Sequence, residues 1–356
     1  DISLDVIAAV LAAPELSGWH GFGVVVQAFS KRAPWVLDWL YELARSLDRK
    51  IMVRLVKGAY WDAEIKRAQV IGLTDFPVFT RKANTDVSYL ACAKKMLAMN
   101  DLIYAQFATH NAHSVAAILQ LAGDKHAYEF QRLHGMGESL HASVMAQGGI
   151  RCRVYAPVGA HQDLLAYLVR RLLENGANSS FVHQLVNPEI APETIAQDPI
   201  NVVLERLEQG LSCRSHAIVR PQDLFAQNLA SHRKNAKGWD ITDAPTIALM
   251  QSAREHLNPS YWQAQPLVAR FEGTLEAPHW VINPAVGGER VGQVHMSSKE
   301  QVEAALQVAP LGQAEWLAMP LAERVACFEK AADLYEDNAT ELFAILAKEA
   351  GKTWLD

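Results

Sequence analysis

Hydrophobic and polar positions along residues 1–184 fall into a recurring unit: a short apolar run, then polar and Gly-rich residues, then a helical pattern. The apolar runs are GFGVVVQAFS (21–30), KIMVRLVKGAYW (50–61), LIYAQFATHN (102–111), YEFQRLHGMG (128–137) and RVYAPVG (153–159). Rich in Val, Ile, Tyr and Phe and bounded by Gly, they read as strands. Between them, 33–47, 86–99 and 111–122 carry helical periodicity. Such alternation predicts parallel βαβ units. The strand starts, near 24, 52, 103, 128 and 153, are mostly about 25–28 residues apart, one βα unit each. The exception, 52 to 103, holds an insertion with GLTDFPVFTRKANTD (72–86).

A doubly wound dinucleotide fold needs a Gly-x-Gly-x-x-Gly turn leaving the first strand. Gly21 and Gly23 enter a strand, and Gly135 and Gly137 lack a third partner. In a (β/α)8 barrel the strand ends carry function. Here they carry Gln27, Arg54 with Lys57, Thr109 with His110, Gln131 with Leu133, and Tyr155. The fold class expected is therefore α/β, a TIM-like barrel. Five strands are present, so three would precede residue 1.

Residues 185–265, with several prolines and weak apolar periodicity, read as an interdomain linker. From 266 to 356 a new pattern begins. Residues 279–298 predict two strands joined by a Gly-Gly turn, followed by three helical stretches. Ser298 with Gln301 predicts a capping box on the first, and Asn338 a cap on the third.

Composition narrows the function classes. The 356 residues suit about two domains. The 33 basic and 39 acidic residues give −6, which does not support DNA binding. Cys92, Cys152, Cys213 and Cys327 have neither zinc nor disulfide spacing, and Cys327 is expected to be packed. His110 and His113 are three apart with no third ligand nearby, so no metal is expected.

The most specific feature is Arg170-Arg171. In a helix, Tyr167, Arg170, Arg171 and Glu174 share one face, and Leu165, Leu168, Val169 and Leu172 form an opposite stripe expected to be buried. Two guanidiniums fit a small anionic substrate, though a solvated ion-paired face has the same spacing. The step Lys57-Gly58-Ala59-Tyr60-Trp61 after the second strand suits a flat, phosphate-bearing cofactor. Thr80-Arg81-Lys82 offers a second basic cluster, and Thr109-His110-Asn111 a strand-to-helix junction.

RLVKGAYW, TRK, FATHN, YEFQRLHGMGE, RVYAPVG and YLVRRLLENGANSSF resemble, in order and wording, the proline dehydrogenase domain of the bifunctional bacterial proline utilization A family. NPAVGGERVGQV, ERVACFEKAADLYE and EAGKTWLD resemble the start of an aldehyde dehydrogenase domain, in that family the pyrroline-5-carboxylate (glutamate semialdehyde) dehydrogenase half. The resemblance implies FAD-dependent oxidation of L-proline to pyrroline-5-carboxylate, and NAD-dependent oxidation of glutamate semialdehyde at a site outside this chain. It places Gln27, Arg54, Val56, Lys57, Gly58, Ala59, Trp61, Arg81, Thr109, His110, Asn111, Gln131, Glu174 and Phe181 against FAD. It places Arg170 and Arg171 on the proline carboxylate, and Tyr60, Leu133, Tyr155 and Tyr167 around the ring. It further implies a membrane quinone as electron acceptor, a homo-oligomer, and a cytoplasmic protein peripheral to the inner membrane. A noncatalytic structural or interaction module is the reading from another class; cofactor content separates the two.

Overall fold

The computed structural model describes residues 2–124, 127–176, 187–226, 233–258, 261–269 and 273–354, with 170 and 172–176 described by their backbone. Two compact units divide at Gly238.

The first unit is built on five parallel strands in sequence order: β1 (Gly23–Gln27), β2 (Ile51–Val56), β3 (Ile103–Ala108), β4 (Tyr128–Leu133) and β5 (Arg151–Tyr155). They are joined by α2 (Ala33–Ser46), then α3 (Trp61–Val70) with α4 (Lys82–Ala98), then α5 (Ala112–Ala122), then α6 (Glu138–Met145). A further helix, α1 (Ile2–Leu11), precedes β1, and α7 (His161–Gly176) follows β5. Strand order equal to chain order is the wrapping of a parallel barrel wall, not of a doubly wound sheet. The fold is thus α/β of the barrel type, as the pattern of strand ends predicts.

Pleating divides the wall into two faces. Ile51, Val53 and Leu55 of β2 and Ile103, Ala105 and Phe107 of β3 are buried, in one core with Leu37 and Leu40 of α2, Tyr89 and Met96 of α4, and Ile118 of α5. Alternate residues point the other way. The register Arg54–Gln106–Glu129–Arg151, with Gln131–Arg153 and Leu133–Tyr155 above it, lines that face with polar groups.

The apolar stripe of α7 is a correction to expectation. Leu165, Leu168 and Val169 are exposed, Leu165 by 50%. The strand before α7 is an edge strand, paired on one side only, so no described element covers that face of the helix.

The expected linker, 185–265, is shared between the units. Its described part up to Gly238 wraps the outside of the barrel wall. A short helix, α8 (Pro192–Ile195), leads into α9 (Pro199–Glu208), which packs on α4. Thr80 Oγ1 accepts from Ser215 N at 3.0 Å, Arg81 Nε donates to Arg214 O at 3.1 Å, and Asn84 Nδ2 donates to Cys213 O at 3.0 Å. Ile218 joins a small core of Phe29, Ile65, Ala68, Phe76 and Val78.

In the second unit, α10 (Ala244–Leu257) precedes a sheet of β6 (Trp262–Ala264), β7 (Pro278–Ile282) and β8 (Arg290–His295), ordered β6-β8-β7. The hairpin β7–β8 is antiparallel, as predicted. Three helices follow: α11 (Lys299–Ala318), α12 (Leu321–Asp337) and α13 (Ala339–Glu349). Ser298 and Gln301 form the reciprocal capping box. Pro310 sits inside α11, which continues through it to Ala318. Asn338 does not cap α13 with its side chain; its Nδ2 donates back to Leu334 O at 2.8 Å, closing α12 instead. Cys327 is exposed, not packed, because α12 turns that face outward among the described residues.

Candidate active site

The C-terminal ends of the strands bring most of the expected residues together. Gln27 ends β1, and its Oε1 accepts from Ala59 N at 2.8 Å, tying the first strand to the loop after β2. Gly58 has φ +146°, and a Cβ there would lie 2.5 Å from the Phe29 ring. Tyr60 holds a left-handed backbone, φ 64°, immediately before α3. A non-glycine residue so placed stores strain of the kind found at binding loops. Trp61 begins α3, and its Nε1 donates to Phe79 O at 2.7 Å. Val56 ends β2 on the same face as Arg54.

Lys57 pairs with Asp86 of α4, which also takes Lys82 at 2.9 Å. Burial pushes the Lys57 ammonium below its usual range despite that carboxylate. Burial would raise the Asp86 carboxyl, but Lys57 and Lys82 outweigh it and hold it low. The cleft beside this trio is lined by Asn111, His113 and Ser114 at the start of α5 and by Thr194, Gln197 and Pro199 of the wrapping segment. Asn111 caps α5, its Oδ1 accepting from Ser114 N at 2.9 Å, and its own N–H donates to Thr109 Oγ1 at 3.1 Å.

His110 Nε2 accepts from Leu133 N at 3.1 Å, linking the ends of β3 and β4. A main-chain N–H can donate only to an unprotonated ring nitrogen, so this imidazole is neutral with its proton on Nδ1. Burial, with His141, Arg132 and Arg54 nearby, takes its pKa down to about 4. His141 lies 3.0 Å from Thr109 O through Nε2.

Arg54 Cζ stands 4.6 Å from the centre of the Tyr155 ring. Tyr155 also feels Tyr167 and Arg171 of α7, and burial raises its phenol above the ordinary value against the pull of Arg54. Arg171 lies over Tyr167, 5.5 Å from its centre, confirming their shared helix face. The side chains of Arg170 and Glu174, and Phe181 altogether, lie outside the described residues. Tyr60 and Trp61 are exposed.

Sequence reading passed over the group that organises the floor of this face. Glu129 accepts from Gln106 Nε2 and Gln131 Nε2, each at 2.9 Å, and from the fork of Arg153 at 2.7 and 3.0 Å. The signal was available: Glu129, Gln131 and Leu133 alternate on one face of β4, and a carboxylate between Tyr128 and Phe130 needs donors.

The family model for proline dehydrogenase matches residues 1–184. The chain belongs to the proline dehydrogenase family. The aldehyde dehydrogenase family model matches residues 272–356. The bifunctional protein PutA of Escherichia coli (strain K12) is 47% identical over 364 residues, covering 99% of this chain and 27% of that protein. A crystal structure of a Bradyrhizobium japonicum proline utilization A mutant is 42% identical, with TM-score 0.79, over 99% of this chain and 32% of that one. The Bdellovibrio bacteriovorus protein, inactivated by N-propargylglycine, is 30% identical with TM-score 0.80, over 99% and 36%. The chain therefore spans about a quarter to a third of the length of these relatives. A proline dehydrogenase domain followed by the start of an aldehyde dehydrogenase domain is the order that the sequence resemblance gives.

Proposed function

We propose that this chain carries the L-proline-oxidising site of a bifunctional enzyme, in which proline becomes pyrroline-5-carboxylate and an aldehyde dehydrogenase half takes the product on. The observation that carries the reading is the cluster of Arg54, Tyr155, Tyr167 and Arg171 at the open end of the wall.

The residues fit an FAD. Arg54 Nε is buried with no protein partner, a donor waiting for an acceptor. At Gly58 the Phe29 ring packs where a side chain would begin, so the main chain beside Lys57 carries no side chain there. Gln27, Arg54, Val56, Lys57, Gly58, Ala59, Trp61, Arg81, Thr109, His110, Asn111 and Gln131 would hold the cofactor, with Glu174 and Phe181 completing the set. When bound, FAD supplies the hydride acceptor. Arg170 and Arg171 grip the carboxylate, and the guanidinium fork fixes its plane as an ammonium would not. Tyr60, Leu133, Tyr155 and Tyr167 close on the ring and exclude water, which supplies orientation in place of solvent order. NAD serves the second half in the longer enzyme. A membrane quinone as acceptor, a homo-oligomer and a peripheral place at the inner membrane rest on the family resemblance.

The test is the visible spectrum of the purified protein, recorded anaerobically before and after adding L-proline. A flavin band that bleaches supports the reading. A protein that takes up no FAD, or a bound flavin that proline leaves oxidised, overturns it.

A further inference from the structure

Glu129 is 3% exposed, on the polar face of the wall below the strand ends. A buried carboxylate is tolerated only when its lone pairs are filled. Here they are filled from three strands: Gln106 of β3 at 2.9 Å, Gln131 of β4 at 2.9 Å and Arg153 of β5 at 2.7 and 3.0 Å, with Tyr104 OH at 3.4 Å. Burial alone would raise this carboxyl, but the bonds from Arg153, Gln131 and Gln106 hold it below its ordinary range, so it is an anion and accepts only.

The consequence falls on Gln131, two residues nearer the open end, or about 6.6 Å along the strand. An anion can take only the NH2 end of the amide. Its carbonyl oxygen is thereby turned away from Glu129. Had residue 129 been neutral, either orientation would serve.

We propose that Glu129 is a positioning residue that fixes the amide of Gln131 with its oxygen as the acceptor, so that the group bound there must present an N–H donor. This rests on the FAD reading above and deepens it: the pyrimidine edge of an isoalloxazine carries one such donor, the imide N3–H. Glu129 touches neither substrate nor cofactor; it acts through Gln131.

The experiment compares FAD with N3-methyl-FAD, which lacks that donor, on the protein stripped of flavin. The unaltered protein prefers FAD by about tenfold, the range of one well-made hydrogen bond with its desolvation. In Glu129→Gln the new carboxamide offers donor and acceptor alike, the Gln131 amide inverts freely, and the preference falls to within about twofold. Gln131→Met, which keeps the shape and the Glu129–Arg153 pair, gives the same collapse and decides the matter if Glu129→Gln does not fold. An undiminished preference in a folded Glu129→Gln, or in Gln131→Met, overturns the proposal. If the unaltered protein binds both flavins equally and still bleaches with proline, the positioning role falls and the proposed function stands. If it binds neither, both fall.

Discussion

The guanidinium of Arg54 on β2 lies 4.6 Å from the ring of Tyr155 on β5, although two strands separate them. Three strand spacings amount to about 14 Å in a flat sheet. The contact is therefore a measure of curvature: the wall bends until its second and fifth strands share one site. Tyr155→Phe keeps the ring beneath the cation, and Tyr155→Leu removes it. A cation–π contact of about 0.5–2 kcal/mol predicts that Leu raises the proline KM several-fold more than Phe does. Equal effects would show that the ring contact contributes nothing.

Arg171→Lys is expected to weaken proline binding by about tenfold or more while leaving flavin content unchanged, since a point ammonium cannot make the two-pronged carboxylate contact. Proline titration of flavin reduction checks it; unchanged affinity removes Arg171 from the carboxylate.

Gly58→Ala should destabilise the first unit. Its backbone at φ +146° disfavours a side chain, and the added carbon would meet the Phe29 ring at 2.5 Å. Strain and overpacking together predict a loss of about 1–3 kcal/mol, read as a lower melting temperature and weaker FAD retention. A variant with unchanged melting would mean that Phe29 yields without penalty.

The neutral His110 predicts a particular pH dependence. Its pKa falls from the ordinary 6.5 to about 4 on folding. The unfolded chain therefore binds more protons between those values, and stability drops as pH falls through that window. Above 6.5 the contribution is complete. His141, also lowered chiefly by burial, acts in the same direction. Denaturant midpoints at pH 7 and pH 5 should differ, and His110→Asn should shrink the difference. A pH-independent gap between the two proteins would contradict the neutral form.

Much of this was legible in the sequence. The strands at 23–27, 51–56, 103–108, 128–133 and 151–155 follow from runs of β-branched and aromatic residues whose period the chain states directly. The helix face carrying Tyr167 and Arg171 follows from spacing alone. What spacing could not give was contact between distant elements. Asp86 reads as an ordinary helix carboxylate until the fold sets Lys57 against it. Glu129 reads as an anomaly in an apolar strand until Arg153 arrives from the next one. The exposed Leu165, Leu168 and Val169 show the converse: an amphipathic pattern states that a face needs cover, not what among the described residues provides it.

The wrapping segment imposes a constraint of its own kind. At residues 213–215 every bond to the start of α4 is made by main chain, with carbonyls at 213 and 214 and an N–H at 215, while Thr80, Arg81 and Asn84 supply the side chains. Such a strap is written in length and backbone path, not in residue type. These three bonds survive most substitutions at 213–215, a proline at 215 excepted, yet a single inserted or deleted residue would put them out of step and loosen Arg81 from a segment far along the chain within the same unit.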